Sequence, residues 1–269
     1  ICVASYDESH HYQIVSALNN GKHVYVEKPL CLKKNEAIEI KKTLKANPSL
    51  RISSNMVLRS CPLFIKIRQK IEEKTMGEIY YLEADYLWGR KQKLISGWRA
   101  EADFYSIIHG AAVHMIDLAV WLIGKKPITV QALGNKITTE GTLQKHNDFA
   151  TLLLKFENEI VVKVSAHGGC IHPHFHSLKV FGKNLTFIHE TTGTVWVDSN
   201  NPDKVFKPED ADYPAKTERS KALVSFLDSI NNNNKNVLVN DEEVFSTSSI
   251  CLAAEEALKT GQKINIEYL

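Results

Sequence analysis

The sequence predicts an α/β fold in which a small parallel sheet is followed by an α+β domain with a large, mostly antiparallel sheet. Over the first 57 residues, short apolar strands alternate with amphipathic helices, and this order implies parallel strands joined by right-handed crossovers. From residue 78 onwards, longer strands follow one another, which is typical of an antiparallel sheet. We therefore predict two domains, at residues 1–57 and 58–269.

The alternating half is predicted to contain three strands and two helices. The strands are apolar runs that end at polar residues, and the helices carry apolar side chains every three or four residues. Asn20-Gly21 ends the first helix and Asn47-Pro48 ends the second, because glycine and proline both disfavour continuation of a helix. In order, the predicted elements are strand 1–5, helix 11–19, strand 23–26, helix 33–45 and strand 51–57.

The second half begins with an amphipathic helix and continues as a sheet accompanied by one strongly apolar helix. Apolar and polar residues alternate in its first long strand, and Gly124 closes the apolar helix. In order, the predicted elements are helix 62–73, strand 78–88, helix 106–123, strands 129–133, 149–156, 160–166, 177–181 and 185–189, helices 218–231 and 241–259, and strand 263–268.

Composition argues against several classes of partner and site. The formal net charge is only +2, the basic residues are scattered, and no apolar run approaches the roughly 18 residues of a membrane span. We therefore expect no nucleic-acid partner and no membrane partner. The five cysteines are widely spaced and include no Cys-x-x-Cys pair, which argues against a disulfide framework or a structural zinc site. This cysteine usage indicates a reducing, cytoplasmic location.

The run Glu27-Lys28-Pro29 stands where the second predicted strand ends. In α/β proteins, ligands bind just beyond the carboxyl ends of parallel strands. Pro29 biases the backbone of Lys28 towards an extended conformation, and a partly buried lysine exchanges protons more readily than a solvated one. The run indicates either a functional lysine or a solvated lysine paired with Glu27.

Several short motifs follow one another in an order that occurs in a known family. They are the loop 4–10, the run Gly-Lys-His-Val-Tyr-Val-Glu-Lys-Pro at 21–29, Asn55 with Arg59, the pair Trp98-Arg99, and the helix segment 112–124 around His114. The strand end at 21–29 and the helix with His114, at this separation, make the signal specific. On these motifs the whole chain resembles the glucose–fructose oxidoreductase and inositol dehydrogenase family (Gfo/Idh/MocA).

The resemblance implies an oxidoreductase that uses NAD or NADP. Such an enzyme transfers a hydride between the nicotinamide and a secondary hydroxyl of a sugar, sugar nucleotide or cyclitol. Residues 1–57 would then be the C-terminal half of a Rossmann-type dinucleotide-binding domain, and 58–269 a domain for substrate binding and oligomerisation. The resemblance also implies a small-molecule carbohydrate substrate and a homodimer or homotetramer.

The resemblance assigns two catalytic residues. Lys28 would hold and polarise the substrate oxygen, and His114 would accept the hydroxyl proton, since an imidazole with a pKa near 6.5 suits that role at neutral pH. Taken alone, His114 is better explained as a core histidine on the apolar face of a helix, whereas Lys28 and the motif around His114 favour catalysis. Asp117 lies one turn further on and either orients the imidazole or bonds to a neighbouring element.

The resemblance also implies residues that bind the cofactor and the substrate. Glu27 would accept a hydrogen bond from the nicotinamide ribose. The full cofactor set is Ser5, Tyr6, His10, Glu27, Lys28, Pro29 and Asn55. The substrate set is Asp117, Trp98, Arg99 and His176.

Three histidines at alternate positions, His172, His174 and His176, allow three interpretations. In an extended segment they would share one face and could bind a divalent metal. Pro173 favours a loop that enters the strand at Ser177, either as a plain polar loop or, as the resemblance implies, close to the substrate. We expect no metal site here.

Two departures from the family pattern affect the expected function. Gly110 stands where the family commonly has an acid, and no Gly-x-Gly-x-x-Gly turn for the cofactor pyrophosphate occurs in the sequence. We therefore expect the N-terminal part of the Rossmann domain to lie upstream of Ile1. Two other functions stay open: a cofactor-assisted glycoside hydrolase or lyase on the same fold, and a non-catalytic truncated family member.

Overall fold

A computed structural model of the chain describes residues 1–207, 212–233 and 237–269. The chain divides into two units, each assembled from separate stretches of sequence. The first unit contains residues 1–65, 212–252 and 267–269, and the second contains residues 66–211 and 253–266. The division at residue 57 stays a prediction, because a unit built from several stretches does not correspond to a single cut in the chain.

The first unit contains a parallel sheet, as the strand–helix alternation predicts. Strands β1 (Cys2–Val3), β2 (Val24–Val26) and β3 (Ile52–Ser54) pair in parallel in the order β1-β2-β3. Every residue of β2 and β3 is buried, which explains their continuous apolar or small-residue sequences. Helices α1 (His10–Asn19) and α2 (Lys34–Ala46) connect the strands, so the predicted alternation is confirmed.

Segments from late in the sequence complete the first unit. A 3₁₀ turn at Lys216–Ser220 leads into helix α7 (Lys221–Asn231), whose Phe226 ring lies 5.7 Å from the ring of Tyr25. Tyr25 belongs to β2, so α7 supports the strand that ends in Glu27-Lys28-Pro29. The buried cluster consists of Tyr25, Ala222 and Phe226, with Leu223, Ile230, Val237 and Leu238 packed against it.

A buried arginine connects two segments of the first unit through an ion pair. Arg59 lies in the 3₁₀ turn Val57–Ser60, is 1% exposed, and donates to Glu243 Oε1 at 2.6 Å. Glu243 is the third residue of helix α8 (Asp241–Thr260), where it exchanges hydrogen bonds of 2.9 Å with Asn240 in a capping arrangement. The ion pair thus links the chain just after β3 to the start of α8.

The second unit is built on a large mixed sheet. Nine strands of the described residues pair in the order β11-β10-β9-β8-β4-β7-β6-β5-β12. The pair β4–β7 is parallel and the other pairs are antiparallel, which confirms a mostly antiparallel sheet. The strands are β4 (Ile79–Leu87), β5 (Pro127–Asn135), β6 (Phe149–Phe156), β7 (Val161–His167), β8 (Phe175–Gly182), β9 (Leu185–Glu190), β10 (Gly193–Asp198), β11 (Asn201–Phe206) and β12 (Ile264–Asn265).

Helix α6 (Val113–Ile123) lies against β4 and β7. On β4, Leu82, Ala84 and Tyr86 are buried and alternate with more exposed residues, so one face of the strand is turned into the core. Further helical residues of the second unit come from α3 (Pro62–Glu72), α4 (Gln92–Ile95), α5 (Trp98–Glu101), a π-helical turn (Ile108–Ala112) that runs into α6, and the end of α8 from residue 253.

The structure differs from the sequence-based elements in the hairpin β10–β11 and in the start of the apolar helix. Neither hairpin strand was predicted, because β10 has no fully buried residue and β11 is mostly exposed, which leaves no apolar alternation to detect. The helix predicted from residue 106 begins instead as the π-helical turn at Ile108. Such turns are often found at functional sites.

The prediction of a loop up to Ser177 is wrong at its last two residues. Strand β8 begins at Phe175, which pairs with Leu87, and His176 pairs with Tyr86. The ladder with β4 extends this far because β4 itself continues to Leu87. His176 is therefore fixed by backbone pairing and not by loop conformation.

No helix within the described ranges combines the length and the apolarity needed to cross a bilayer. The same residues contain no group of three or more His, Cys, Asp or Glu side chains arranged to hold a metal ion. His172, His174 and His176 therefore do not form such a group in the structure.

Acid is expected to destabilise the second unit through His189. This residue of β9 is 4% exposed, its Nδ1 lies 2.7 Å from Thr194 Oγ1, and burial lowers its pKa to about 4. Between pH of about 6.5 and about 4 the unfolded chain binds a proton that the folded chain does not, so folding stability falls as the pH falls through this range. The expected loss is about 3 kcal/mol by pH of about 4.

The variant His189→Asn tests this expectation, since its amide can still bond to Thr194. Urea unfolding followed by tryptophan fluorescence reports on the second unit, which contains all four tryptophans. The wild type should lose more unfolding free energy than the variant between neutral pH and pH of about 4. Equal losses in the two proteins would contradict the assignment to His189.

Candidate active site

The predicted cofactor residues lie at one edge of the parallel sheet. Since β1, β2 and β3 run in the same direction, the residues that follow each strand stand at the same carboxyl edge. Lys28 is half-buried, Pro29 is buried, and the peptide bond between them is cis. The other residues that follow the strands are Ser5, Tyr6, Glu27 and Asn55, of which Ser5 and Tyr6 are exposed.

Hydrogen bonds fix the orientation of Glu27. Asn55 Nδ2 donates to Glu27 Oε1 at 2.6 Å, and the Tyr25 hydroxyl donates to Asn55 Oδ1 at 2.9 Å. Burial, assisted by the charge of Glu27, raises the pKa of Tyr25, so its hydroxyl keeps the proton that it donates. The chain Tyr25–Asn55–Glu27 presents a carboxylate of defined orientation beside Lys28.

His10 contacts two loops at the same edge. Its ring is fully buried, with Nδ1 2.7 Å from the Pro29 carbonyl oxygen and Nε2 3.3 Å from the Ser5 carbonyl oxygen. The shorter distance favours donation from Nδ1 to Pro29 in the neutral ring. The imidazole therefore connects the loops after β1 and β2 through contacts to two backbone carbonyl oxygens.

In the second unit, His114 lies among aromatic side chains. The ring of Tyr86 is 5.9 Å from that of His114 in an edge-on arrangement and stacks on His176 at 4.6 Å. The Tyr86 hydroxyl is 2.9 Å from His174 Nε2, and the rings of His174 and His176 are 5.1 Å apart. The structure thus brings His114 and the predicted substrate residue His176 around one tyrosine.

Sequence reasoning missed Tyr86 as a site residue. It lies on the buried face of a correctly predicted strand, where an aromatic residue is ordinary core material. Only the register of β8 against β4, which pairs His176 with Tyr86, reveals its position. The alternate spacing of His174 and His176 was the signal that the sequence did contain.

A serine caps the turn that leads to His114. Ser106 Oγ accepts hydrogen bonds from the backbone N–H groups of Ile108 and His109, both at 3.0 Å, and donates to Glu255. Burial raises the pKa of the Glu255 carboxyl. This arrangement stabilises the start of the helical segment that leads to His114.

Gly110 has no room for a side chain. A Cβ at this position would lie 2.4 Å from the Tyr105 hydroxyl and 2.9 Å from its ring carbon Cζ. Tyr105 is 3% exposed, so its phenol fills the space next to Gly110, one turn before His114. At Gly110, where the family commonly has an acid, a tyrosine hydroxyl thus occupies the space next to the backbone.

Asp117 is 1% exposed and lies three residues after His114 on α6. Its role, either orienting the imidazole or bonding to a neighbouring element, stays a prediction. Trp98 and Arg99 lie together in α5, where the Arg99 guanidinium is 4.3 Å from the centre of the Trp98 ring.

Family models match most of the chain. Residues 1–53 match a model described as an oxidoreductase family with an NAD-binding Rossmann fold, and residues 64–188 match the GFO/IDH/MocA C-terminal domain. The two matches follow each other in the order of the parallel and the mixed sheet. They confirm the resemblance and identify residues 1–53 as part of an NAD-binding fold.

Two curated proteins are similar to part of the chain. Oxidoreductase P35 of Formosa agariphila is 27% identical over 131 residues, which cover 46% of this chain and 40% of that protein. Inositol 2-dehydrogenase 2 of Saccharopolyspora erythraea is 23% identical over 165 residues, which cover 61% of this chain and 46% of that protein. The chain therefore spans less than half the length of these two relatives.

Solved structures share the fold over almost the whole chain. Levoglucosan dehydrogenase in complex with NADH matches with a TM-score of 0.83 at 16% identity, covering 100% of this chain and 80% of that one. A scyllo-inositol dehydrogenase from Lactobacillus casei, with bound NAD(H) and scyllo-inositol, matches with a TM-score of 0.76 at 19% identity, covering 98% and 78%. At these identities the likeness establishes the fold alone.

Proposed function

We propose, from the premise that this chain belongs to the GFO/IDH/MocA family of oxidoreductases, that the protein interconverts a secondary alcohol and a ketone with NAD or NADP. The alcohol would belong to a sugar, sugar nucleotide or cyclitol. Inositol dehydrogenases among the similar proteins support this substrate class. The observation that carries the proposal is the grouping of His114 with Tyr86, His174 and His176.

His114 is the proposed base. Its Nδ1 is buried, so we assign the hydroxyl proton to Nε2. The Tyr86 hydroxyl and His174 Nε2 are 2.9 Å apart, and both offer further hydrogen-bond partners to a polyhydroxylated substrate. A site that combines imidazoles, a phenol and aromatic faces suits a ring that carries several hydroxyls. His176, stacked on Tyr86, would shape the wall of this site.

The carboxyl edge of the first unit fits the ribose end of a dinucleotide. The Glu27 carboxylate, oriented by Asn55 at 2.6 Å, is a ready acceptor for ribose hydroxyls. Ser54 Oγ, at the end of β3, is buried without a hydrogen-bond partner among the described residues, so the edge also contains an unused polar atom. When bound, NAD or NADP supplies the hydride acceptor.

The remaining predicted residues have supporting roles in the proposal. Lys28 would donate a hydrogen bond to the substrate oxygen and stabilise negative charge that develops on it. Ser5, Tyr6 and His10 would position the nicotinamide end of the cofactor, His10 through the loops that it braces. Asp117, Trp98 and Arg99 would bind or orient the substrate. We further propose a cytoplasmic homodimer or homotetramer, as the family resemblance implies.

Net reduction of the cofactor is the direct test of this function. We expect the protein, incubated with NAD⁺ or NADP⁺ and a panel of sugars and cyclitols, to form reduced nicotinamide only when both substrates are present. Absorbance of the reduced cofactor measures the rate, and fluorescence titration with NADH and NADPH measures binding. Sugar cleavage without net cofactor reduction would instead identify a cofactor-assisted hydrolase or lyase. Absence of both activities in a folded protein would favour a non-catalytic role.

A further inference from the structure

Arg99 lies in a cage of aromatic rings. Its guanidinium carbon is 4.3 Å from the centre of the Trp98 ring, 5.5 Å from that of Trp88 and 5.9 Å from that of Tyr105. The Trp98 and Tyr105 rings are themselves 6.1 Å apart in an edge-on arrangement. Flat aromatic faces attract a guanidinium and hold its plane in a fixed orientation, so the side chain is preorganised.

The cage supplies no anionic partner. Within the described residues Arg99 makes no ion pair and no hydrogen bond, and its Nε is buried without an acceptor. Other arginines contrast with it: Arg59 pairs with Glu243 at 2.6 Å and Arg68 with Glu72 at 2.7 Å. A half-buried guanidinium is unfavourable without an acceptor, because aromatic faces replace only part of its hydration.

The cage adjoins the surroundings of His114 on two sides. Trp88 follows Tyr86 by two residues on the extension of β4, so both side chains project to the same face, about 7 Å apart along the chain. Tyr86 contacts His114 at 5.9 Å, whereas Trp88 contacts Arg99. On the other side, Tyr105 packs on Gly110, one turn before His114. Arg99 and His114 are therefore linked through two pairs of neighbouring residues, Trp88 with Tyr86 and Tyr105 with Gly110.

We propose that Arg99 binds a carboxylate or phosphate carried by the substrate, which makes the preferred substrate an anionic sugar or polyol. A planar guanidinium pairs with either group through parallel N–H···O bonds. The anion does not take part in the hydride and proton transfer; it fixes the ring relative to His114. That the bound anion is part of a substrate rests on the proposed dehydrogenase function, whereas the anion site itself does not.

Binding of matched sugars tests the proposal without turnover. Trp88 and Trp98 flank Arg99, so tryptophan fluorescence of the full chain, without cofactor, reports on the cage. The probes are D-glucose, D-glucuronate and D-glucose 6-phosphate. We expect at least one anionic probe to bind about 10- to 100-fold more tightly than glucose, as charge-assisted hydrogen bonds predict. Preference for glucuronate would identify a carboxylate, and preference for the phosphate ester a phosphoryl group.

Matched variants assign the effect to Arg99. Arg99→Gln should abolish the preference for the anionic probe. Arg90→Gln, which makes the same charge change at an exposed position, should keep it. Arg99→Lys retains the charge but not the planar pairing, so it should keep a reduced preference and serves as the second variant if Arg99→Gln does not fold.

Two outcomes would overturn the proposal. One is equal affinity for anionic and neutral probes, including the case in which none of them binds. The other is an anion preference that survives in Arg99→Gln. A failure of the dehydrogenase proposal looks different, because it would leave the anion preference intact while no sugar in the panel reduces NAD⁺ or NADP⁺.

Discussion

The variant His114→Asn is expected to lose turnover by about 10²- to 10⁴-fold, which is the usual contribution of a positioned general base. Asparagine keeps a polar side chain on α6 but cannot accept the hydroxyl proton. The loss should fall mainly on kcat, since the walls of the site formed by Tyr86, His174 and His176 remain. Initial rates of cofactor reduction with a substrate identified in the panel provide the measurement.

The pH profile distinguishes a catalytic loss from a structural one. The wild-type rate should rise with pH as the base loses its proton, and this rise should vanish in His114→Asn. His11→Asn is the control, since His11 lies on helix α1 and pairs with Glu39 at 2.9 Å on the surface. A His114→Asn protein with a rate within about threefold of the wild type would rule out the base role.

Lys28→Met is expected to lower kcat/KM by about 10²- to 10³-fold, as removal of a single donor to a developing oxyanion does in other enzymes. Methionine is close to lysine in length and keeps the apolar stem without the ammonium. The strand end should stay in place because His10 binds the Pro29 carbonyl at 2.7 Å and Asn55 holds Glu27 at 2.6 Å. Cofactor affinity should therefore change much less than turnover.

Lys22→Met provides the matched control, because Lys22 is exposed and lies just before the same strand. It removes the same charge and should leave kcat/KM unchanged. Fluorescence titration with NADH separates a loss of cofactor binding from a loss of chemistry. If Lys28→Met kept kcat/KM near the wild-type value, Lys28 would be a solvated strand-end lysine without a catalytic role.

The sequence was sufficient to predict the parallel sheet and most strands of the mixed sheet. Strand β6 begins and ends at the predicted residues, because it is a mostly apolar run of strand length, and along it buried residues alternate with more exposed ones. The hairpin β10–β11 escaped prediction since its residues, such as Asp203 and Lys204, are largely exposed and stabilised by pairing to β9 and to each other. Local sequence patterns do not reveal such pairing between strands.

The candidate site was predictable only in part, for a similar reason. Lys28 and His114 stand in recognisable motifs, and the sequence pattern correctly places the first at the end of a strand and the second on a helix. Tyr86 and the cage around Arg99 depend on register and on packing between residues distant in sequence, as when Tyr105 fills the space beside Gly110. Their side chains are chemically ordinary, so only three-dimensional placement indicates a role.

The discontinuous make-up of the first unit has a consequence for synthesis on the ribosome. Phe226, against which the ring of Tyr25 packs, emerges from the exit tunnel about 200 residues after Tyr25, or roughly 10–40 s later at typical elongation rates. Arg59 likewise is synthesised well before Glu243, with which it forms an ion pair in the folded protein. Throughout that interval the nascent chain exposes an apolar strand and an unpaired cation, so we expect chaperones that bind such segments to engage the first 65 residues co-translationally.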